Sequence, residues 1–221
     1  MVYYTGMYIG IVGCMGIGKT KLTQALAAHL RYRPFYEPVR QNPYLDDFYA
    51  DMPAYAFKNQ LFVLTHRFRQ HLEIQELHRN GVGVLQDQLI FVDALYARLA
   101  YHLKLMDERD YTTYTNLFDT IKDFIILPTV IIHLRTPIAT IRQRIKERGR
   151  ESEKEVQVKY LQLLSDFIDE WTATVNHGTQ VIQMDWTTYQ PVEDVVKLIE
   201  DRLKVQLTLP VRQMRVKPLG Q

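Results

Sequence analysis

The chain has 221 residues, of which 47% are hydrophobic and 24% charged, and its formal net charge is +2. This composition is ordinary for a globular protein of one α/β domain, and so small a charge gives no reason to expect a nucleic-acid polymer or an anionic membrane as partner. The sequence has no apolar run near the ~20 residues of a membrane span, no secretory signal pattern and a single cysteine, Cys14, so we expect a cytoplasmic protein without internal disulfides.

Short apolar runs alternate with amphipathic segments along the sequence. Five runs predict strands, over residues 7–12, 35–39, 82–86, 129–134 and 181–184. Helices are predicted over residues 19–31, 44–80 with a break near 52–53, 90–106, 110–126, 137–148, 155–176 and 192–205. This alternation implies an α/β doubly wound fold, a parallel sheet with helices on both faces and ligands at the carboxyl ends of its strands. One domain should span residues 1–208, and the basic tail over 209–221 should be loosely ordered.

A glycine-rich turn follows the first predicted strand. The residues from Gly13 to Thr20 fit the P-loop pattern, and a strand before the turn and a helix after it are the context that the motif requires. Gly13, Gly16 and Gly18 would let backbone amides approach phosphates, and the helix N-terminus adds partial positive charge. Lys19 would reach the β- and γ-phosphates of ATP, and the Thr20 hydroxyl would ligate Mg²⁺. The motif alone does not separate a kinase from a GTPase or another ATPase.

Three further features favour a kinase that acts on a small hydroxyl substrate. Glu37, after the second predicted strand, is a candidate base, and Asp87, which ends the third, is a candidate Mg²⁺ ligand. An arginine-rich segment with Gly149 as its flexible point could close on the phosphates as a lid, and its arginines are Arg142, Arg144, Arg148 and Arg150. Each feature also has a simpler interpretation, since a single glutamate is often a surface residue and arginines at helical spacing often form a solvated face. Their order after a P-loop favours the P-loop kinase-like fold.

The ordered set of motifs resembles the deoxyribonucleoside kinase family, whose members include deoxyadenosine, deoxyguanosine and deoxycytidine kinases. The resemblance runs from Tyr8 to about Trp171, and no piece apart from the P-loop is decisive by itself. The matching pieces are Glu37-Pro38-Val39, Asn42-Pro43-Tyr44-Leu45, Phe48-Tyr49, Gln60 with Arg67, Asp87 with Asp93, Glu108-Arg109-Asp110-Tyr111, Arg148-Gly149-Arg150 with Glu153, and Tyr160-Leu161.

The resemblance implies a role for each matching residue. Glu37 would take the proton of the substrate 5′-hydroxyl, and Tyr49 and Glu153 would hold the sugar 3′-hydroxyl. The Gln60 amide would bond the edge of the base, because an amide both donates and accepts. Lys19 and the lid residues Arg144, Arg148 and Arg150 would bind the nucleoside triphosphate. Family members commonly dimerise, so we expect a homodimer, or a heterodimer with a related chain, through residues 90–106 and 155–176.

Arg67 and Asp93 bear on the choice of base. In the family an Arg and an Asp at these two places accompany purine and cytosine substrates, and smaller apolar residues accompany thymine. A carboxylate can accept from an exocyclic amine, which thymine lacks at the corresponding position. The pair could also be a plain structural salt bridge. We expect deoxyadenosine as the preferred substrate, with deoxyguanosine and deoxycytidine as alternatives.

Two positions depart from the family pattern. Family members usually have Arg and then Ser after the acidic residue at position 87, whereas this chain has Gln88 and Leu89. A glutamine brings no charge, so it should stabilise developing negative charge less well. Val12 also stands where many members have an acidic residue, which should matter less. Two alternatives therefore stay open: a weakly active or regulatory subunit of a kinase heterodimer, and another P-loop kinase that acts on a nucleoside monophosphate.

Overall fold

The computed structural model describes residues 2–3, 6–37, 41–150, 153, 156–175 and 178–207. The predicted tail over 209–221, the strand residues 38–39, and the end residues 155 and 176 of one predicted helix lie outside the described residues. Within the part of the chain that the structure describes, no helix is long and apolar enough to cross a membrane.

The strands form one central sheet and one small pair. They are β1 (Val2–Tyr3), β2 (Tyr8–Val12), β3 (Arg33–Phe35), β4 (Val84–Asp87), β5 (Val130–Arg135), β6 (Gln180–Asp185) and β7 (Val205–Gln206). The central sheet has five strands in the order β3-β4-β2-β5-β6, and every neighbouring pair is parallel. This arrangement confirms the predicted doubly wound fold. β1 and β7 pair separately, also in parallel. They were not predicted, because two-residue strands carry no detectable sequence pattern.

Helices connect the strands and cover both faces of the sheet. They are α1 (Lys19–Leu30), α2 (Leu45–Ala50), α3 (Met52–Arg79), α4 (Ile90–His102), α5 (Glu108–Lys122), α6 (Ile138–Arg148), α7 (Val158–Thr174) and α8 (Val192–Leu203). The predicted break at 52–53 is confirmed: Asp51 caps α3 by accepting from the Ala54 N–H at 3.2 Å, and Pro53 lies in the first turn, where its missing N–H is not needed.

Alternation along the strands divides the core into two layers. In β2, Ile9 and Ile11 pack with the apolar side chains of α1 and α8, whereas Tyr8 and Val12 pack with those of α4 and α7. Successive side chains of a strand point to opposite faces, so a strand buried on both sides must be apolar at every position. Because both faces are covered, the carboxyl ends of the strands provide the open edge for a ligand.

Several predicted boundaries were wrong. The helix expected over 90–106 ends at His102, and the helix expected over 110–126 spans Glu108–Lys122. Two further differences have a clear physical reason. The second strand was expected over 35–39, but β3 ends at Phe35 and includes Pro34. A proline is tolerated there because β3 is an edge strand, where one backbone side needs no N–H donor. The last helix was expected to reach residue 205, but α8 ends at Leu203, and Lys204 has a left-handed φ of 53° that leads into β7.

Candidate active site

A cleft of about 810 Å³ opens at the carboxyl ends of the central strands. Most of the predicted site residues line it: Gly16, Gly18, Lys19, Thr20, Glu37, Tyr49, Gln60, Asp87, Asp93, Arg144, Arg148, Arg150 and Glu153. Of the remaining predicted residues, Gly13 begins the glycine-rich turn and does not line the cleft, and Arg67 is fully buried beside Asp93. The sequence motifs therefore converge on one cavity.

The phosphate loop, residues 13–20, leads directly from β2 into α1. Gly16 and Gly18 have φ values of 76° and 109°, which favour glycine. A Cβ on Gly18 would also come within 2.8 Å of the Tyr189 ring. Lys19 begins α1, and its ammonium donates to Gly13 O and Cys14 O, each at 3.1 Å. Backbone amides at a helix N-terminus and a nearby ammonium form an anion-binding site.

Thr20 and Asp87 meet at the base of the loop. The Thr20 hydroxyl donates to Asp87 Oδ2 at 2.5 Å. Asp87 is 2% exposed, and its Oδ1 has no hydrogen-bond partner among the described residues. Burial raises the pKa of Asp87, an effect that Lys19 opposes. A hydroxyl and a carboxylate with a free oxygen are donors that suit a hard cation, so these residues fit Mg²⁺.

Arg67 connects the acidic residues of the cleft. Its Nη1 donates to Asp87 O at 2.8 Å, its Nε lies 3.2 Å from Asp93 Oδ2, and its Nη2 lies 3.6 Å from Glu37 Oε1. Burial raises the pKa of Asp93 to about 7, although the guanidinium of Arg67 lowers it. A buried cation is tolerated only with partners of opposite charge, and here Glu37 and Asp93 both provide one.

The predicted lid arginines fall into two groups. Arg148 and Arg150 both bond the Glu153 carboxylate, the latter at 2.9 Å. Arg144 instead donates to three backbone oxygens, Ile17 O and Trp186 O at 2.8 Å and Thr187 O at 3.0 Å. These contacts hold the middle of α6 against the phosphate loop and the segment after β6. The guanidinium also lies 4.4 Å from the centre of the Tyr189 ring.

Two of the residues expected to contact the deoxynucleoside, Tyr49 and Gln60, lie on α2 and α3. Tyr49 is on α2, and burial together with the nearby Glu153 carboxylate raises its pKa, so its hydroxyl stays protonated and able to donate. Gln60 is on α3 and 5% exposed. Asn42 ties the two helices together, because its Nδ2 donates to Asn59 Oδ1 at 2.6 Å while its Oδ1 accepts from the Tyr44 N–H.

Gln88 is not among the residues that line the cleft. Its side chain is 1% exposed, and its Nε2 donates to Gly13 O at 3.3 Å. Gln88 was expected to stabilise developing negative charge less well than an arginine, whereas its amide bonds the phosphate loop.

Several cleft residues were not singled out from the sequence. Asn59, Tyr96, Glu147 and Tyr189 all contribute to the lining. Tyr189 follows β6, so the rule that ligands bind at the carboxyl ends of parallel strands could have found it. Tyr96 and Glu147 lie within helices, and no local motif distinguishes them from packing or surface residues.

Comparison with known proteins agrees with this geometry. The family model described as deoxynucleoside kinase matches residues 9–204. A deoxyadenosine kinase of Dictyostelium discoideum is 36% identical over 195 residues, 88% of this chain and 78% of that protein. A deoxyadenosine/deoxycytidine kinase of Bacillus subtilis is 33% identical, over 76% of this chain and 77% of that protein. Among solved structures, deoxyadenosine kinase from M. mycoides with products dCMP and a flexible dCDP bound superposes with a TM-score of 0.78, at 28% identity, over 90% of this chain and 99% of that one.

Proposed function

Because this chain belongs to the deoxynucleoside kinase family, we propose that it transfers the γ-phosphoryl group of ATP to the 5′-hydroxyl of a 2′-deoxynucleoside. The family membership makes it a phosphotransferase. The observation that carries the more specific proposal is the convergence of the phosphate loop, Glu37 and the buried Arg67–Asp93 pair on one cleft. Phosphate, sugar and base would each meet a different group of side chains there.

The residues divide the chemistry among them. Glu37 would accept the proton of the 5′-hydroxyl as that oxygen attacks the γ-phosphorus. Lys19 and the amides of the phosphate loop would stabilise the negative charge on the transferring group, and Arg148 and Arg150 would add charge from the lid. Mg²⁺, held by Thr20 and Asp87, would neutralise phosphate charge.

Arg148 and Arg150 would have two alternative partners, the Glu153 carboxylate and the phosphates of ATP. Both bond Glu153 in the structure, and Glu153 would also bond the sugar 3′-hydroxyl. Occupation of the sugar site could thus release the arginines toward the phosphates. This arrangement favours substrates with a 3′-hydroxyl and links their binding to lid closure.

We favour deoxyadenosine as the substrate. The Asp93 carboxylate lines the cleft and can accept from an exocyclic amine, which adenine has. Gln60 can donate and accept on the same base edge. Similarity to deoxyadenosine kinases supports this preference, and deoxyguanosine and deoxycytidine remain alternatives. The monophosphate formed would serve nucleotide salvage.

A substrate panel tests the proposal. Purified protein is incubated with Mg-ATP and, separately, deoxyadenosine, deoxyguanosine, deoxycytidine, thymidine, adenosine and dAMP, and the products are separated chromatographically. We expect dAMP from deoxyadenosine at the highest kcat/KM and little product from thymidine or adenosine. Product from dAMP alone would support a monophosphate kinase instead. Binding of ATP and deoxyadenosine without turnover would support the regulatory-subunit alternative.

We also propose that two copies of the chain associate through α4 and α7. The two helices pack side by side, and Arg98 on α4 bonds Glu170 on α7 at 2.9 Å on their exposed side. Light scattering at micromolar concentration should give about twice the mass of one chain, and a monomer mass would reject this assembly.

A further inference from the structure

Gln88 lies in the turn between β4 and α4 in an uncommon backbone conformation. Its φ is 67°, a left-handed value that residues other than glycine rarely adopt. Its backbone N–H donates to Ile11 O at 2.9 Å, which extends the contact between β2 and β4 by one residue. Strained conformations persist where the surrounding structure holds them, and they concentrate at functional sites. The backbone thus fixes the direction in which this side chain leaves the turn.

The side chain reaches the first residue of the phosphate loop. Gly13 O accepts from Gln88 Nε2 at 3.3 Å and from Lys19 Nζ at 3.1 Å, so one carbonyl has two donors. The orientation of the amide is determined by this contact, because the reversed amide would bring Gln88 Oε1 against the Gly13 oxygen. Both side chains are buried, at 1% and 7% exposure, so water is a poor substitute for either.

The Lys19 contact competes with the proposed role of Lys19. An ammonium has three N–H donors, and two are directed at Gly13 O and Cys14 O. Contacts with the β- and γ-phosphates would draw the ammonium away from these carbonyls. A buried carbonyl that loses its donor lowers the net gain from binding.

We propose that Gln88 is a positioning residue for the phosphate loop, whose amide keeps the Gly13 carbonyl bonded when Lys19 turns to the triphosphate. This inference rests on the proposed binding of ATP at the loop. It gives position 88 a role in holding the phosphate donor and none in contacting the deoxynucleoside. Gln88 thereby acts through Gly13 and touches neither substrate.

Two substitutions test the proposal in the full chain. Gln88→Leu keeps most of the volume but removes the donor, and Gln88→Glu keeps the shape but places an acceptor against Gly13 O. We expect the Kd of ATP, measured by calorimetry without deoxynucleoside, to rise about tenfold for Gln88→Leu and more for Gln88→Glu. The Kd of deoxyadenosine should change by less than about twofold.

Gln86→Leu is the matched control. Gln86 is equally buried two residues earlier on β4, but it bonds the Tyr8 hydroxyl and not the phosphate loop. This variant should bind ATP as the wild type does. Melting temperatures without ligand separate folding defects from binding defects, and Gln88→Glu still provides the test if the leucine variant does not fold.

The outcomes separate the inference from the proposed function. An unchanged Kd for ATP in both Gln88 variants would overturn the inference, as would an equal loss in Gln86→Leu or a change confined to deoxyadenosine. Turnover by the wild type would leave the proposed function intact in each of these cases. Failure of the wild type itself to bind ATP would overturn both.

Discussion

At the scale of single residues, Arg67 supplies the buried positive charge that two acidic residues of the cleft contact. It is fully buried, and its guanidinium lies 3.2 Å from Asp93 and 3.6 Å from Glu37. Glu37, the candidate proton acceptor, and Asp93, the carboxylate expected to select the nucleobase, therefore share one cation. A change at one of these side chains alters the surroundings of the other, so substitutions here should be interpreted together.

Glu37→Gln tests the proton-accepting role. The amide keeps the shape but cannot take the 5′-hydroxyl proton, so kcat with deoxyadenosine should fall about 100- to 10,000-fold. The Kd of ATP should be unchanged, because Glu37 is not part of the phosphate loop. Steady-state kinetics measures kcat, and calorimetry measures the Kd of ATP. An unchanged kcat would reject the role of Glu37 as proton acceptor.

Lys19→Ala tests the phosphate loop. Removal of the ammonium takes away a positive charge on the transferring group, so kcat should fall about 100- to 1000-fold. Lys197→Ala is the control, since Lys197 is exposed on α8 and does not line the cleft. Near-normal rates for Lys19→Ala would contradict the assignment.

Asp93→Ala tests base selection. The ratio of kcat/KM for deoxyadenosine to that for thymidine should fall about 10- to 100-fold, because a buried acceptor for the exocyclic amine is lost. Removal of one partner of a buried ion pair also destabilises the fold, by about 3–5 kcal/mol. The double variant Arg67→Met/Asp93→Ala removes the unpaired cation, and an unaltered ratio in both variants would locate the selector elsewhere.

At the scale of secondary-structure elements, α6 combines a fixed part with a candidate lid. Arg144 is bonded to three backbone oxygens, whereas Arg148 and Arg150 bond only the single carboxylate of Glu153 among the described residues. Gly149, between them, has a φ of 69°. The sequence predicted the helix and its glycine. Four arginines at similar spacing gave no means of separating Arg148 and Arg150 from the exposed Arg142 and the backbone-bonded Arg144.

Arg148→Gln tests the lid. Loss of a guanidinium that approaches the transferring phosphoryl group should lower kcat about 100-fold. Arg142→Gln is the control, because Arg142 is exposed on the same helix and does not line the cleft. Equal effects of the two substitutions on kcat would indicate a general disturbance of α6 and argue against a lid.

Predictability differed among elements for physical reasons. The buried strand β5 was predicted within one residue of its ends, because a run of β-branched residues between turn signals has few alternatives. The strand before Glu37 was shifted, because pairing of Arg33 with Val84 and not local preference determines β3. Arg67 contacts Asp93 and Glu37, and these residues are far apart in the chain. Only the resemblance of the sequence to a known family suggested that Arg67 and Asp93 form a pair.

At the scale of the whole molecule, two buried histidines connect stability to pH. His71 on α3 accepts the Ile126 N–H at Nε2, at 2.9 Å, and burial lowers its pKa to about 4. Burial likewise lowers the pKa of His133 on β5 to about 4, against the opposing effect of Asp169. Both rings are therefore neutral in the folded protein at neutral pH. His71 joins α3 to the segment before β5, and His133 joins β5 to Thr172 on α7.

The pH dependence of unfolding tests the state of His71. Its folded pKa lies below the value of about 6.5 in the unfolded chain, so the unfolded state binds the proton first as the pH falls. The stabilisation is complete above pH ~6.5 and is lost as the pH falls toward 4. Urea unfolding of the wild type between pH 7 and 4 should show about 3 kcal/mol more loss than His71→Gln. Parallel curves for the two proteins would contradict the assignment.

The three hydrogen bonds of Arg144 to backbone carbonyls limit which part of α6 can move. Because they bond the middle of α6 to the phosphate loop and to the segment after β6, we expect the helix not to move as a rigid body. A lid that closes over the phosphates would then move near Gly149, at the C-terminal end of α6, and the movement would involve only the last turn of the helix and the residues after it. We therefore expect the movement of the lid to be short and local, and the phosphate loop to keep its position.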